Sequence, residues 1–175
     1  MAGQALKDGR IAEMKRTTKK KAKAPAAGKR DGDCRVTRAP SERRQIAALP
    51  FRKTASGEIE VLLITSRETG RFIIPKGWPM KRLSGAEAAA KEAYEEAGVV
   101  GKVKREPIGA YSYWKRLERT FELLNVDVYA LEVHEQRADW PEKGSRLLGW
   151  LRPEDAARLV DEPALITLIE KFRTK

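Results

Sequence analysis

The sequence predicts an α/β fold in which helices pack on a single mixed β-sheet. Apolar and β-branched runs of strand length alternate with helical segments from residue 41 onwards. One helix, at residues 84–98, carries both a start and a stop signal, and an amphipathic helix closes the chain. With 175 residues and no internal repeat, the chain has room for one domain with a sizeable core.

The N-terminal segment differs from the rest in charge. Residues 1–40 hold 12 of the 36 Lys and Arg residues but only 4 of the 25 Asp and Glu residues. A segment with few large apolar side chains cannot offset the entropy lost on ordering. We therefore expect a disordered basic tail at residues 1–40 and a folded domain at residues 41–175. The tail is predicted either to contact RNA or another polyanion weakly or to be a solubilising extension.

Three strands are expected before the helix. The apolar run at residues 45–51 predicts a buried strand, and the polar residues 55–58 predict a turn. Ile59–Thr65 is strongly β-branched, which favours a second strand. Residues 72–75 predict a short third strand.

The helix at residues 84–98 is predicted from its two ends. Ser84 and Glu87 have the spacing of a capping box, which satisfies free N–H groups where a helix begins. Gly98 stands where a helix ends on a left-handed residue. Small side chains at helical spacing would let this helix lie close to a sheet; they are Ala86, Ala89, Ala90, Ala93 and Ala97.

After this helix the sequence predicts three more strands. Residues 102–114 and 119–133 are expected to form two long strands joined by a short WKRLER hairpin. A polar loop at residues 134–146 then leads to a short strand at residues 147–151.

Two helices are expected at the C-terminus. Pro153 at a first-turn position predicts a short helix at residues 153–160. Asp161 is expected to cap a last helix at residues 162–172. The apolar positions of that helix are Leu165, Ile166, Leu168 and Ile169.

Three glutamates on the predicted central helix oppose its stability. Glu92, Glu95 and Glu96 lie at positions i, i+3 and i+4, where like charges cost roughly 0.2–0.5 kcal/mol per pair. The helix dipole also disfavours anions in the last turn. A hard cation such as Mg²⁺ takes oxygen ligands and would remove the conflict. The pattern therefore predicts a metal site rather than a solvated helix face.

The same stretch resembles the Nudix box, G-x5-E-x7-R-E-U-x-E-E-x-G-U, where U is a bulky apolar residue. In GWPMKRLSGAEAAAKEAYEEAGV, residues 77–99, three positions depart from this pattern. Leu83 replaces the first glutamate, Lys91 replaces the arginine, and Ala93 replaces a bulky residue. The matching positions are Gly77, Glu92, Glu95, Glu96, Gly98 and Val99.

The resemblance implies an α/β/α sandwich that uses water to cleave a phosphoanhydride bond, with Mg²⁺ or Mn²⁺ as cofactor. It makes Glu92, Glu95 and Glu96 the catalytic, metal-binding acids, with Glu92 alternatively acting as the base. The main-chain carbonyl of Lys76 aligns with a carbonyl that often binds the metal in the family. Gly77 permits a tight loop with close backbone approach.

Two of the departures bear on mechanism. Lys91 carries a positive charge but lacks the bidentate fork with which arginine orients a box glutamate. Leu83 cannot replace a carboxylate in any role. The resemblance also implies a further acid outside the box, for which Glu118, Glu122 and Glu142 are candidates, and the sequence does not choose between them. These departures leave open a non-catalytic Nudix-fold sensor of a phosphorylated ligand.

The segments RRQIAALPFR, IIPKGW and ADWPEKGSRLLGWLRPEDA are similar to those of the diphosphoinositol polyphosphate phosphohydrolase group. Relatives of that group also cleave diadenosine polyphosphates. A phosphate-rich small-molecule substrate needs basic residues, and arginine binds phosphate in bidentate fashion. The predicted substrate-binding residues are Arg43, Arg44, Arg52, Arg67, Lys115, Arg116, Arg119 and Trp78, with Arg71 and Arg146 as further basic candidates.

Two further questions stay open at this point. Tyr111, Tyr113 and Trp114 either stack a nucleobase or pack, and strand alternation favours packing for at least one of them. The alternative substrate is the 5′ end of RNA, held with the help of the basic tail.

Composition limits where the protein acts. The single cysteine, Cys34, cannot form an intrachain disulfide, which fits a reducing cytoplasm. No run of about 18 apolar residues occurs, and the N-terminus lacks the apolar stretch of a secretory signal. We therefore expect a cytoplasmic protein with no membrane partner.

Overall fold

The computed structural model describes residues 43–172, so the predicted tail at residues 1–40 lies outside the described part of the chain. Within residues 43–172 the chain forms eight strands and three helices. In chain order they are β1 Arg44–Lys53, β2 Ile59–Thr65, β3 Phe72–Ile73, β4 Lys76–Gly77, α1 Gly85–Ala97, β5 Val99–Val103, β6 Gly109–Arg116, β7 Phe121–Gln136, β8 Leu148–Leu151, α2 Pro153–Ala157 and α3 Pro163–Glu170.

The strands join into one mixed sheet, as predicted. Its main path runs β3, β2, β1, β7, β5. Strands β1 and β7 are parallel, with Arg44 opposite Asn125 and Phe51 opposite Glu132. The remaining pairings of the described strands are antiparallel, and they add β4 to β1, β6 to β7 and β8 to β2.

Helices cover both faces of this sheet, because successive strand residues point to opposite sides. One face packs against α1 through Ala48, Leu62, Ile64, Ala88, Ala89, Ala93 and Ala97. The opposite face packs against α2 and α3 through Leu49, Leu63, Val128, Ala156, Leu165 and Ile169. The predicted α/β/α sandwich is therefore confirmed.

Helix α1 begins and ends as predicted. The Ser84 hydroxyl accepts the Glu87 N–H at 3.3 Å, and the Ser84 N–H donates to the Glu87 carboxylate at 2.8 Å. Gly98 has φ 69° and ψ 14°, and its N–H donates to the carbonyl of Tyr94 at 2.9 Å. These caps fix the length of the helix and so the height of its glutamates above the sheet.

Several sequence expectations for the strands were wrong. The single strand expected at residues 102–114 is two strands, β5 and β6, because Pro107 in the intervening turn cannot donate to a ladder. Strand β7 continues to Gln136, so the loop starts later than residue 134. Strand β4 was expected to be loop, and only its pairing with β1 defines it.

The last helix also begins differently. Its N-cap is Glu162 rather than Asp161, and the first helical residue is Pro163. Proline is favoured at the first helical position, which places the cap one residue before it. The buried side chains of α3 are Leu165 and Ile169, with Ile166 and Leu168 partly buried beside them.

None of the helices described in residues 43–172 is long and apolar enough to cross a membrane.

Candidate active site

An open cleft of about 730 Å³ lies beside α1, where the loop after β2, strand β4 and the hairpin between β6 and β7 meet. Glu92 and Glu96 contribute acidic groups from α1. The cleft thus joins carboxylates to a basic wall, which suits a ligand that carries phosphates and a cation. Its basic residues are Arg67, Arg71, Lys76, Lys115, Arg116 and Arg146.

Glu96 is held rigidly at the bottom of this cleft. Only 7% of the residue is exposed, and its carboxylate accepts the main-chain N–H of Lys76 at 3.0 Å. The other oxygen is paired with Arg146. Burial raises the pKa of Glu96, while the Arg146 charge and the Lys76 hydrogen bond act in the opposite direction.

Arg146 is bonded to Glu96 and Glu142 and is therefore not available to bind a phosphate. Its guanidinium is buried and donates to the carbonyl of Thr65 and to the carboxylate of Glu142, each at 3.0 Å, as well as to Glu96. Of the three candidates for an acid outside the box, Glu142 is the one that this arrangement favours. Glu142 lines the cleft, whereas Glu122 pairs with Arg43 and Glu118 is absent from the lining.

Glu92 lies against the glycine of the box. A Cβ atom on Gly77 would collide with the Glu92 carboxylate, so the close approach requires glycine. Burial, and then the charges of Glu96 and Glu95, raise the pKa of Glu92 from 4.5 to about 7. At neutral pH, a carboxylate in this environment is stabilised by binding either a proton or a cation.

Glu95 stands apart from the other two acids. It pairs with Lys91 one turn earlier and is absent from the lining of the cleft. Lysine at position 91 therefore keeps an ion pair with a box glutamate. Leu83 is 38% exposed in the loop before α1 and takes no part in the cleft.

Within residues 43–172, no three Asp, Glu, His or Cys side chains converge as a ready-made metal centre. The donors around Glu92 still fit a hard divalent cation, because they are all oxygen atoms and their charges are desolvated. The main-chain N–H of Lys76 donates to Glu96, so Lys76 lies beside these acids. Metal binding by these groups stays a prediction.

Half of the predicted substrate-binding residues meet in the cleft. They are Arg67, Trp78, Lys115 and Arg116. Arg67 pairs loosely with Glu142 at 3.3 Å, and the Lys115 ammonium lies 5.6 Å from the centre of the Trp78 ring. These side chains surround the acids with positive charge.

The other half lies elsewhere. Arg43 and Arg44 pair with carboxylates of β7, at 2.8 and 3.0 Å, and Arg52 pairs with Glu60 at 2.7 Å. Arg119 is exposed in the hairpin turn and is absent from the lining of the cleft. The prediction that these four residues bind substrate gains no support from the structure. Cross-strand pairing, which a single sequence does not reveal, explains the first three.

The sequence also missed a polar cluster at the far side of the cleft. Arg71 donates to the buried Glu162 at 2.8 Å and lies 3.4 Å from Asp161. Tyr113 donates to Gln45 at 2.7 Å in the same wall. Arg71 and Tyr113 were candidates in the sequence, but the acids before Pro163 were taken as helix-capping residues, so the pairing was not predicted.

Comparison with known proteins agrees with this fold. No protein-family model matches the chain. The chain is 33% identical over 134 residues to Nudix hydrolase 21, chloroplastic, of Arabidopsis thaliana, covering 74% of this chain and 66% of that protein. It is 33% identical over 135 residues to diphosphoinositol polyphosphate phosphohydrolase 2 of Rattus norvegicus, covering 75% of this chain and 71% of that protein.

The fold is that of Nudix domains. The structure of a C. elegans Ap4A hydrolase superposes with a TM-score of 0.54, at 20% identity, over 74% of this chain and 95% of that one. The relatives in sequence show that the chain belongs to the Nudix hydrolase family. The alignments span between 59% and 66% of the first four plant relatives.

Proposed function

We propose that this chain is a divalent-metal-dependent pyrophosphohydrolase that cleaves a phosphoanhydride bond in a polyphosphorylated small molecule by water attack. One observation carries the proposal: Glu92, with a pKa raised to about 7, stands beside Glu96 in a cleft walled by basic residues. Desolvated acids facing a basic wall match a substrate that brings both phosphates and a cation.

The chain's own residues divide the work as follows. Glu92 and Glu96 would hold the cation, with Glu95 and the Lys76 carbonyl as further predicted ligands. A divalent cation such as Mg²⁺ or Mn²⁺, which Nudix hydrolases generally use, would supply neutralisation of phosphate charge and activation of water. Arg146 keeps Glu96 in place through its bonds to Thr65 and Glu142.

Glu92 has a second role open to it. A general base works best when its pKa lies near the working pH, and about 7 meets that condition. Glu92 therefore either accepts a proton from the attacking water or binds the cation. The enzyme is favoured over a non-catalytic sensor because the relatives in sequence are named as hydrolases.

The charge of the cleft and the names of the relatives support the substrate that we propose. Arg67, Arg71, Lys115 and Arg116 suit several phosphates. One relative is named for diphosphoinositol polyphosphates, and one structural neighbour is named for Ap4A, a diadenosine polyphosphate. We propose a substrate of one of these two types. A cytoplasmic location stays a prediction, since the names of several plant relatives include chloroplastic or mitochondrial.

The test is product release by the purified full-length chain with Mg²⁺. The substrates are a diphosphoinositol polyphosphate, diadenosine tetraphosphate, a nucleoside triphosphate and 5′-triphosphorylated RNA. We expect turnover that falls by at least about 10²-fold in Glu92→Gln and Glu96→Gln, because each removes a charge from the centre. Glu106→Gln, in the exposed turn between β5 and β6, is the matched control.

Two results would contradict the proposal. Turnover that is equal in Glu92→Gln and in the control would remove the carboxylates from the mechanism. Ligand binding without any turnover would leave the non-catalytic sensor. A variant lacking residues 1–40 addresses the RNA alternative: loss of salt-sensitive turnover of RNA alone would favour that alternative.

A further inference from the structure

A buried acid lies at the far end of the cleft, away from the glutamates of α1. Glu162 lines the cleft at the start of α3, and only 6% of the residue is exposed. Its side chain makes no capping hydrogen bond to the helix. A buried carboxylate destabilises a protein unless other groups compensate its charge. The burial of Glu162 therefore needs a reason other than the start of the helix.

Glu162 offsets the charge of Arg71. One of its carboxylate oxygens accepts a hydrogen bond from the Arg71 guanidinium at 2.8 Å. Asp161 adds a weaker contact with the same guanidinium at 3.4 Å, from a more exposed side chain. Arg71 thus has the fork that binds a phosphate, but the charge that would attract a phosphate is already balanced.

The second oxygen of Glu162 is buried and has no hydrogen-bond partner among residues 43–172. Buried acceptors in folded proteins usually have a partner, so this oxygen has acceptor capacity to spare. Phosphate oxygens are acceptors and carry negative charge, so a phosphate cannot supply the missing donor. A hydroxyl group can supply it without adding charge.

The surrounding cations also disfavour a second positive charge at this end. The charged groups of Arg71 and Lys76 lie 5.9 and 5.2 Å from the centre of the Tyr113 ring, in the same wall as Glu162. A cation would meet these two positive charges, whereas an anion would meet the carboxylate. An uncharged group is therefore the one that this end of the cleft accommodates best.

We propose that Glu162 is a specificity-determining residue that excludes a phosphate from the Arg71 end of the cleft and favours an uncharged, hydroxyl-bearing part of the substrate there. This inference rests on the proposed function and narrows it. The phosphates are then bound toward Lys115 and Arg116. The nucleoside ends of a diadenosine polyphosphate meet this requirement. A diphosphoinositol polyphosphate that is phosphorylated at every ring position does not.

The variant Glu162→Gln tests the proposal, because it removes the charge and keeps the size and one acceptor oxygen. We would measure kcat/KM with Mg²⁺ for diadenosine tetraphosphate and for a diphosphoinositol polyphosphate that has no free hydroxyl group. The second value should rise at least about tenfold, since Arg71 is then free to pair with a phosphate. The first value should stay within about threefold of wild type, since the amide oxygen still accepts a hydrogen bond.

Two further variants remove a single negative charge elsewhere. Asp161→Asn changes the adjacent residue, whose side chain is 69% exposed, and should raise the diphosphoinositol value by less than about threefold. Glu106→Gln, outside the cleft, should change neither value. A diphosphoinositol value that does not rise in Glu162→Gln, or that rises equally in Asp161→Asn, would overturn the proposal. A parallel fall for both substrates, with a lower melting temperature, would mean that Glu162 only supports the fold.

Failure of this specificity role can be separated from failure of the hydrolase. If nothing is turned over, calorimetric titration with inositol hexakisphosphate and with ADP still tests Glu162. In Glu162→Gln the hexakisphosphate should bind at least about tenfold more tightly, while ADP binding should change by less than about threefold. Equal changes for both ligands, or no change for either, would reject the role of Glu162.

Discussion

Replacing Glu92 with glutamine should stabilise the metal-free protein at pH 8 but not at pH 4. The wild-type carboxyl must ionise in a place that burial and two neighbouring acids make unfavourable. Glutamine has nearly the same shape and carries no charge. The variant should therefore unfold at a higher temperature than the wild type at every pH at which the wild-type Glu92 is ionised.

The magnitude follows from the pKa of this one group. A rise from 4.5 to about 7 corresponds to roughly 3 kcal/mol, and partial exposure of Glu92 reduces this to about 1–2 kcal/mol. Below pH 4.5 both folded and unfolded states are protonated, so the variant gains nothing. Between pH 4.5 and 7 the folded state binds the extra proton, so wild-type stability falls as the pH rises.

The assay is thermal unfolding followed by circular dichroism, with a chelator present, at pH 4 and pH 8. At pH 8 the melting temperature should rise by about 3–8 °C in Glu92→Gln, and Glu106→Gln should follow the wild type. Mg²⁺ should then stabilise the wild type more than Glu92→Gln, by RT ln(1 + [L]/Kd). A Glu92→Gln variant that is less stable than wild type at pH 8 would refute the conclusion that the folded protein disfavours an ionised Glu92.

Three further substitutions test the surroundings of this acid. Gly77→Ala should displace the Glu92 carboxylate and reduce kcat by about 10²-fold with little change in melting temperature, because the displaced group is a flexible side-chain end. Arg146→Ala should cost about 3–5 kcal/mol in chemical denaturation, because it leaves the buried Glu96 charge unpaired. Lys91→Ala should cost under about 0.5 kcal/mol, since its ion pair is exposed, and should lower kcat less than Gly77→Ala does.

Each of these has an outcome that would count against the described geometry. Full activity in Gly77→Ala would mean that Glu92 need not lie where it is. A mild effect of Arg146→Ala on stability would mean that Glu96 is better solvated than its burial indicates. A loss of several kcal/mol in Lys91→Ala would contradict a solvent-exposed pair.

The sequence predicted secondary structure correctly where residues close together in the chain determine it. The capping box at Ser84 and Glu87 and the left-handed Gly98 depend only on residues a few positions apart, and they placed α1 correctly. The β-branched run predicted β2 with its observed bounds. The proline in the turn before β6 indicates a break between two strands, but the prediction did not use this signal.

Contacts between residues far apart in the chain could not be predicted from the sequence. Arg43, Arg44 and Arg52 appeared as substrate ligands because the sequence hides the carboxylates opposite them on neighbouring strands. Arg146 appeared as one more basic residue, although it spans to Glu96, fifty positions earlier in the chain.

The choice of Glu142 over the other candidate acids likewise depended on the cleft. The family resemblance implied an acid outside the box, and tertiary contacts were needed to favour one candidate over the others. The sequence thus predicted the acidic helix, whereas the residues that pair with its glutamates were identified only from the structure.

The central claim is that the acids of α1 hold the divalent cation. Electron paramagnetic resonance of Mn²⁺, titrated into the wild type and into Glu92→Gln, Glu96→Gln and Glu106→Gln, tests it most directly. The account predicts saturable Mn²⁺ binding that Glu106→Gln retains and that each α1 variant weakens by at least about tenfold. Equal Mn²⁺ binding by all four proteins would contradict it.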